Sequence, residues 1–469
     1  MTASRCSRPT ARSSRRRWCQ WPRCSRSRPV DRIADKDAAM MRHGRGRAAV
    51  WVLAAALIPA CWGASSPVMA AAPLSPVAQL GRQLFFDPGL SASGRQSCAS
   101  CHDPANHYAP RNDLAVQMGG ARLDTPGVRA VPTLTYRDEV PDFSATLENP
   151  DESASGPGGG YDWDGRMASV AIQSVSPLTT PFEMANPDIA SVRARVRRNP
   201  DYVRQFTGLF GQDVFATPRQ VVRAIGTALA AFQHEDSSFH PYTSKYDYYT
   251  RGLATLTPQE QRGMALFNDA DRANCASCHT AGIGPGKDGS TSVGQFTDFF
   301  FKDIGVPDNP QVRPPAGMGR YDMGLCGPLR TDLAPARDAA NRRYCGLFMT
   351  PTLRNVATRH VFFHNGVLKS LRDVVAFYVT RDTDPAHWYG RQPDIRPDGT
   401  RPDGTRPGGA LPYNGLPPDL RGNVDRDDMP FAAQKTGGQP ILSEAEMDDL
   451  VAFLNTLTDG YKPATAQPK

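Results

Sequence analysis

Two Cys-x-x-Cys-His sequences, Cys98–Cys101–His102 and Cys275–Cys278–His279, carry the most specific chemistry in this chain. Cysteines three positions apart on one turn can each form a thioether with a haem vinyl group. The histidine that follows is then placed to ligate the iron from one side. Zinc is the other chemistry that paired cysteines and a histidine serve. Two copies of the pattern among only 10 Cys and 9 His point instead to two covalently attached c-type haems.

The remaining cysteines and the charge distribution bear on where such a protein works. Residues 1–70 hold 14 Lys and Arg against Asp31, Asp35 and Asp37, so the formal charge of +7 becomes −4 without them. The basic balance therefore gives no ground for nucleic-acid binding. Residues 1–39 are rich in Arg, Ser and Cys without apolar periodicity, and Met40 or Met41 is a candidate true start. A basic stretch (Arg42, Arg45, Arg47), an apolar run from Ala48 to Trp62 and the small-residue site Val68-Met69-Ala70 then read as a signal peptide cleaved before Ala71. Its shortness and Pro59 argue against a membrane anchor. Lipid attachment at Cys61 is the lesser alternative. After cleavage Cys326 and Cys345 are the pair outside the haem motifs, and in an oxidising compartment they are expected to form a disulfide across a Pro- and Arg-rich loop.

The elements that must position the haems are helices. Thr217-Pro218-Arg219-Gln220 is a capping box with proline at the first helical position, followed by Val221, Val222, Ile225, Leu229 and Phe232 at helical spacing. Thr257-Pro258-Gln259-Glu260 opens a second helix running to Phe267. Ser370 with Asp373 opens a third, and Ser443 with Glu446 a last one through Leu457. Leu80–Phe86 and Gly263–Phe267 are similar amphipathic leads into the two haem motifs. The expected fold is mainly α: two cytochrome c-like haem domains, 74–251 and 252–465, with long loops, little sheet and a boundary near Gly252. Ser153–Gly160 and the tandem Pro-Asp-Gly-Thr-Arg units at 397–406 read as solvated loops.

From Leu80 to Tyr461 the chain resembles the bacterial dihaem cytochrome c peroxidase family, and more closely its MauG-like branch. The stretches that carry the resemblance are Leu84-Phe85-Phe86-Asp87, Trp163-Asp164-Gly165-Arg166, Pro181-Phe182-Glu183-Met184, Pro351-Thr352-Leu353-Arg354-Asn355 and Phe363-His364-Asn365-Gly366. The resemblance implies peroxide chemistry at the N-terminal haem and electron transfer at the C-terminal one. It implies periplasmic residence and hydrogen peroxide as substrate. Electrons would come from a small cytochrome or copper protein, or from a partner protein whose side chains are oxidised to mature a cofactor. A non-catalytic electron carrier is the reading of another class.

The resemblance also implies roles residue by residue. Glu183 falls where the family has its distal acid–base carboxylate, Gln173 at the accompanying amide, and Pro177 on the loop between them. Trp163 matches the aromatic residue between the haems, and Arg166 could meet a haem propionate or form a structural ion pair. Tyr378, fourteen residues after His364, stands where peroxidase-type members have methionine and MauG-like members a tyrosine ligand. Met318, Met323 and Met349 are rivals for that ligation. His364 is expected to hydrogen-bond a propionate or the backbone rather than iron. Members that need reductive activation carry a distal histidine about twenty residues past the first motif, and the stretch after His102 has only His107. The family calcium ion would face Tyr136 in place of an asparagine, with the carbonyls of Arg359 and Val361. Phenol is a poor calcium ligand, so calcium is doubtful.

Overall fold

The computed structural model describes residues 72–463 except 138, 149–154, 282–283, 286–290, 293, 316 and 391–411. The leader, with its candidate start, cleavage and lipid-attachment positions, and the units at 397–406 lie outside the described residues. Among the described residues, ten α-helices alternate with long irregular stretches. They are α1 (Pro76–Phe86), α2 (Val170–Val175), α3 (Ile189–Arg197), α4 (Pro200–Phe210), α5 (Pro218–Glu235), α6 (Lys245–Thr250), α7 (Pro258–Asn268), α8 (Leu371–Thr380), α9 (Pro385–Tyr389) and α10 (Glu444–Asn455). No helix among them is long and apolar enough to cross a membrane.

Among the described residues, sheet is confined to four two-stranded antiparallel pairs. These are β1 (Met118–Gly119) with β2 (Thr125–Pro126), β3 (Ser144–Glu148) with β4 (Ser155–Gly158), β5 (Gly284–Pro285) with β6 (Thr291–Ser292), and β7 (Phe301–Lys302) with β8 (Phe348–Met349). The strand β4 corrects the expectation of a loop over Ser153–Gly160. Its glycines leave the backbone free to pair with β3, and Gly158 packs against Leu147.

The same two-helix unit occurs twice. Before the first haem motif, α1 crosses α5, and before the second, α7 crosses α10. Glycine permits both crossings: a Cβ on Gly81 would lie 1.9 Å from the Ala228 carbonyl oxygen, and one on Gly263 would lie 1.9 Å from that of Asp449. An aromatic pair closes each crossing, Phe85 with Phe232 at 5.6 Å and Phe267 with Phe453 at 5.2 Å between ring centroids. All four rings are essentially fully buried, each worth about 1.5–3 kcal/mol of transfer free energy. One apolar cluster gathers residues between Leu80 and Phe239; a second gathers residues between Leu266 and Leu457.

Local signals fix the helix starts. Thr217 and Gln220, Thr257 and Glu260, and Ser443 and Glu446 form reciprocal capping boxes, and Ser370 accepts from the Asp373 N–H. The last helix ends at Asn455, two residues before the expected Leu457, in a turn where the Thr456 N–H reaches back to the Phe453 carbonyl. Cys326 and Cys345 form the disulfide, with both residues buried.

Candidate haem sites

Each haem motif is a tight turn whose first carbonyl gathers the following amides. The Cys98 carbonyl accepts from Cys101 N–H at 3.2 Å and His102 N–H at 2.9 Å, and the Cys275 carbonyl accepts from His279 N–H at 2.9 Å. This draws each histidine back over its cysteines. The His102 Nδ1 lies 3.1 Å from the Tyr108 carbonyl oxygen, and the His279 Nδ1 lies 3.0 Å from that of Phe296. A donated Nδ1–H leaves Nε2 as the free lone pair, the tautomer that metal ligation needs. The return to His102 is made by two consecutive left-handed residues, His107 (φ 53°) and Tyr108 (φ 57°). Such strain in bulky residues persists only where the surroundings impose it. Burial holds both imidazoles neutral, at about 4.

The four motif cysteines are unpaired, and burial pushes Cys98, Cys275 and Cys278 up to about 12 and Cys101 up to about 11. Beside the second motif lies a cavity of about 260 Å³ lined by Cys275, Cys278, His279, Tyr378, Trp163 and His364. Its donor set, two thiols, an imidazole and a phenol in a largely apolar wall, fits a haem. Tyr378 projects from α8 and stacks near Phe431 at 5.8 Å, while its backbone carbonyl accepts from Gln434. Burial raises its phenol pKa, with the two motif cysteines adding to the shift. Met349 and Met429 also line this cavity, whereas Met318 and Met323 do not.

Glu183 belongs to the first site. The Ser176–Leu178 turn that follows α2 contains Pro177, whose carbonyl accepts from the Met184 N–H, and the Glu183 N–H donates to Thr180. The Glu183 carbonyl takes the Gly120 N–H at 2.8 Å, and this close approach needs glycine at 119, where a Cβ would lie 2.3 Å from the Phe182 carbonyl oxygen. Burial and then the negative charge of Asp162 raise the Glu183 carboxyl to about 7, with Thr180 and Arg166 opposing. The carboxylate is close enough to raise the Cys98 and Cys101 thiols in turn. Gln173 is presented by α2, and no hydrogen bond joins it to Glu183.

Trp163 and Arg166 belong to one tightly held turn. Asp164 is fully buried and bonds Arg129 at 2.8 Å and Arg166 at 2.8 Å; Arg166 also pairs with Asp162 at 2.8 Å. Arg166 thus makes ion pairs with both neighbouring carboxylates. The Trp163 Nε1–H donates to the Ala130 carbonyl at 2.8 Å while its ring lines the second cavity. His364 stacks on Phe348 at 3.6 Å, and its backbone carbonyl accepts from Ala130 N–H. The cavity wall also includes Arg137, Lys302 and Asp303, which no local motif singles out, and Arg359, named in the sequence only for its backbone carbonyl. They come from three stretches of chain, Lys302 and Asp303 being neighbours.

The family described as Di-haem cytochrome c peroxidase matches residues 75–255. Methylamine utilization protein MauG of Paracoccus denitrificans is 35% identical over 395 residues, spanning 82% of this chain and 90% of that protein. Cytochrome c551 peroxidase of Nitrosomonas europaea is 28% identical, over 66% of this chain and 78% of its own length. The crystal structure of the diheme peroxidase BthA from Burkholderia thailandensis matches with a TM-score of 0.69 at 35% identity, covering 83% of this chain and 90% of that one. With two haem-type sites on a mostly helical frame and likeness over nearly the whole length of such relatives, the chain belongs to the dihaem cytochrome c peroxidase family, as a haem-dependent oxidoreductase with two haems.

Proposed function

We propose that this protein is an exported, periplasmic peroxidase that reduces hydrogen peroxide to water at a haem tethered by Cys98 and Cys101 and ligated by His102. Cys275 and Cys278 would tether a second haem and His279 and Tyr378 would hold it, and such a group would supply an electron-transfer centre. When bound, the first haem supplies an iron that takes peroxide and accepts the two oxidising equivalents released as the O–O bond breaks. Glu183 takes the proton from the inner peroxide oxygen and returns it to the leaving one. Two electrons and two protons complete the conversion of H2O2 to two waters. Gln173 holds the peroxide oxygens by its amide, and Pro177 closes the loop over them. Trp163 offers an oxidisable ring between the two sites. The donor is a small cytochrome or copper protein. The single observation that carries this reading is a half-buried carboxyl beside the first haem motif, raised to about 7 by desolvation and Asp162, the value a general acid–base needs near neutral pH.

A MauG-like reaction, in which a partner protein's side chains supply the electrons, is the second reading. Tyr378 facing the second cavity favours it, because a hard phenolate stabilises oxidised iron. So does the absence of any histidine from 108 to 122 in the sequence, while His107 lines the second cavity. The leader and the Cys326–Cys345 disulfide support an oxidising, extracytoplasmic setting. The test is an optical and EPR titration of the diferric protein with hydrogen peroxide, without prior reduction. Prompt loss of a high-spin ferric signal supports an open first site. Two low-spin haems inert to peroxide would remove the MauG-like reading and leave a reductively activated peroxidase or an electron carrier, which repeating the titration after half-reduction separates: inertness there too would sink the proposal.

A further inference from the structure

The residues that the family resemblance assigns to a calcium ion do not fit one. The buried Tyr136 hydroxyl donates to Asp459 Oδ2 at 2.6 Å and accepts from the Tyr242 N–H at 3.0 Å. Asn355 Nδ2 donates to the same Asp459 oxygen at 2.9 Å, and the Arg354 guanidinium lies 4.6 Å above the Tyr136 ring. Burial and Asp459 raise the phenol pKa, so it stays neutral. Of the two expected carbonyl donors, Val361 already accepts from Arg359 Nε–H at 3.3 Å. The same guanidinium donates through Nη2 to the Val131 carbonyl at 3.0 Å. Calcium takes six to eight oxygens, usually with carboxylates among them. Here two backbone carbonyls converge on a guanidinium instead. Among the described residues no group of three or more His, Cys, Asp or Glu is placed to hold a metal ion.

Arg359 is half-buried, lines the cavity shared with His279 and Tyr378, and forms no ion pair with a carboxylate among the described residues. Burial lowers it only to about 10, so it is cationic at neutral pH. The carbonyl it grips belongs to Val131, whose neighbour Pro132 lines the same cavity, while the preceding Ala130 carbonyl accepts the Trp163 indole N–H.

We propose that Arg359 is the resident cation between the two haem-binding segments, a positioning residue that takes the place of a divalent ion and pins Val131–Pro132 into the wall of the cavity lined by His279 and Tyr378. The proposal rests on the dihaem reading above. It makes the haem environment independent of calcium, since a covalently held guanidinium cannot be chelated away. It also makes the charge permanent, because an arginine does not lose its proton near neutral pH.

The test begins with the unmodified holoenzyme, dialysed against excess EDTA. Metal analysis should find calcium far below one per chain, and haem absorption and EPR spectra should not change on chelation or on adding calcium back. Arg359→Gln should then lower the midpoint potential of the haem at His279 and Tyr378, raising its ferric-to-ferrous ratio at fixed potential about tenfold, equivalent to ~59 mV for one electron. Arg359→Lys, which keeps the charge and loses the fork, should recover most of that shift. Stoichiometric calcium whose removal alters the haem spectra would overturn the proposal, and so would a Gln variant with the parent potential. If the Gln variant does not fold, the calcium measurement decides alone. Inertness of the unmodified protein to peroxide would instead count against the peroxidase reading and leave the calcium arm readable.

Discussion

Glu183→Gln is the perturbation with the sharpest expected signature. The carboxyl titrates near 7 because burial and Asp162 oppose its charge more than Thr180 and Arg166 favour it. The first proton transfer needs the carboxylate. The second-order rate constant for peroxide should therefore rise with pH to a plateau above about 7, falling about tenfold per unit below it. Glutamine keeps the shape and removes the base, so the rate should drop by roughly 10²–10⁴ and the pH dependence should flatten. Stopped-flow mixing of diferric protein with peroxide from pH 5 to 9 measures both. Stability gives an independent reading. The folded-state pKa lies above the unfolded value of 4.5, so the folded protein holds the proton more tightly and loses stability as pH rises from about 4.5 to about 7. The glutamine variant should thus melt higher than the parent at pH 8 and at a similar temperature near pH 4. A variant with the parent's rate and pH profile would refute the acid–base assignment.

Other substitutions probe the second site and the frame. Tyr378→Met replaces a hard anionic ligand by a soft thioether and should raise the midpoint potential of the second haem by an appreciable part of the ~0.8 V that axial ligands span, as read by spectroelectrochemistry. Gly263→Ala sets two effects against each other in α7: helix propensity alone would stabilise by about 1 kcal/mol, whereas a Cβ 1.9 Å from the Asp449 carbonyl should cost about 1–3 kcal/mol or more. Net destabilisation in a denaturant titration is expected, and the same for Gly81→Ala in α1 against Ala228. A stabilised alanine variant would show that the crossings can open at little cost.

What was legible in the sequence was what short-range chemistry dictates. Covalent haem attachment demands fixed spacing, so both motifs stood out without any fold. The capping boxes at Thr217, Thr257 and Ser443 are contacts within four residues, and the structure forms each of them. The Cys326–Cys345 bridge followed from counting. The strand β4 escaped because its pairing with β3 is a tertiary choice made on a glycine-rich stretch with no apolar alternation. Arg359 was named only for its backbone carbonyl, and the role of its side chain escaped because its partner, Val131, lies 228 residues away. The carboxyl of Glu183 could be located by its motif, but its shift is a property of burial, which local sequence does not encode.

The Trp163–Arg166 turn shows why that shift and the inter-haem contact belong together. Arg166 is the one cation whose charge lowers Glu183, yet it is divided between Asp162 and Asp164, each at 2.8 Å. A free guanidinium there would draw the carboxyl down toward its ordinary range and weaken it as a base. Asp164, itself shared with Arg129, keeps Arg166 occupied, while Asp162 adds the negative charge that pushes Glu183 up. The same buried Asp164 fixes the turn from which Trp163 reaches Ala130, next to the segment that Arg359 grips. Replacing Asp164 would therefore disturb the proton chemistry at the first haem and the aromatic bridge to the second in a single step. On the roles proposed for Glu183 and Trp163, one ion-pair network would both tune the carboxyl and hold the indole.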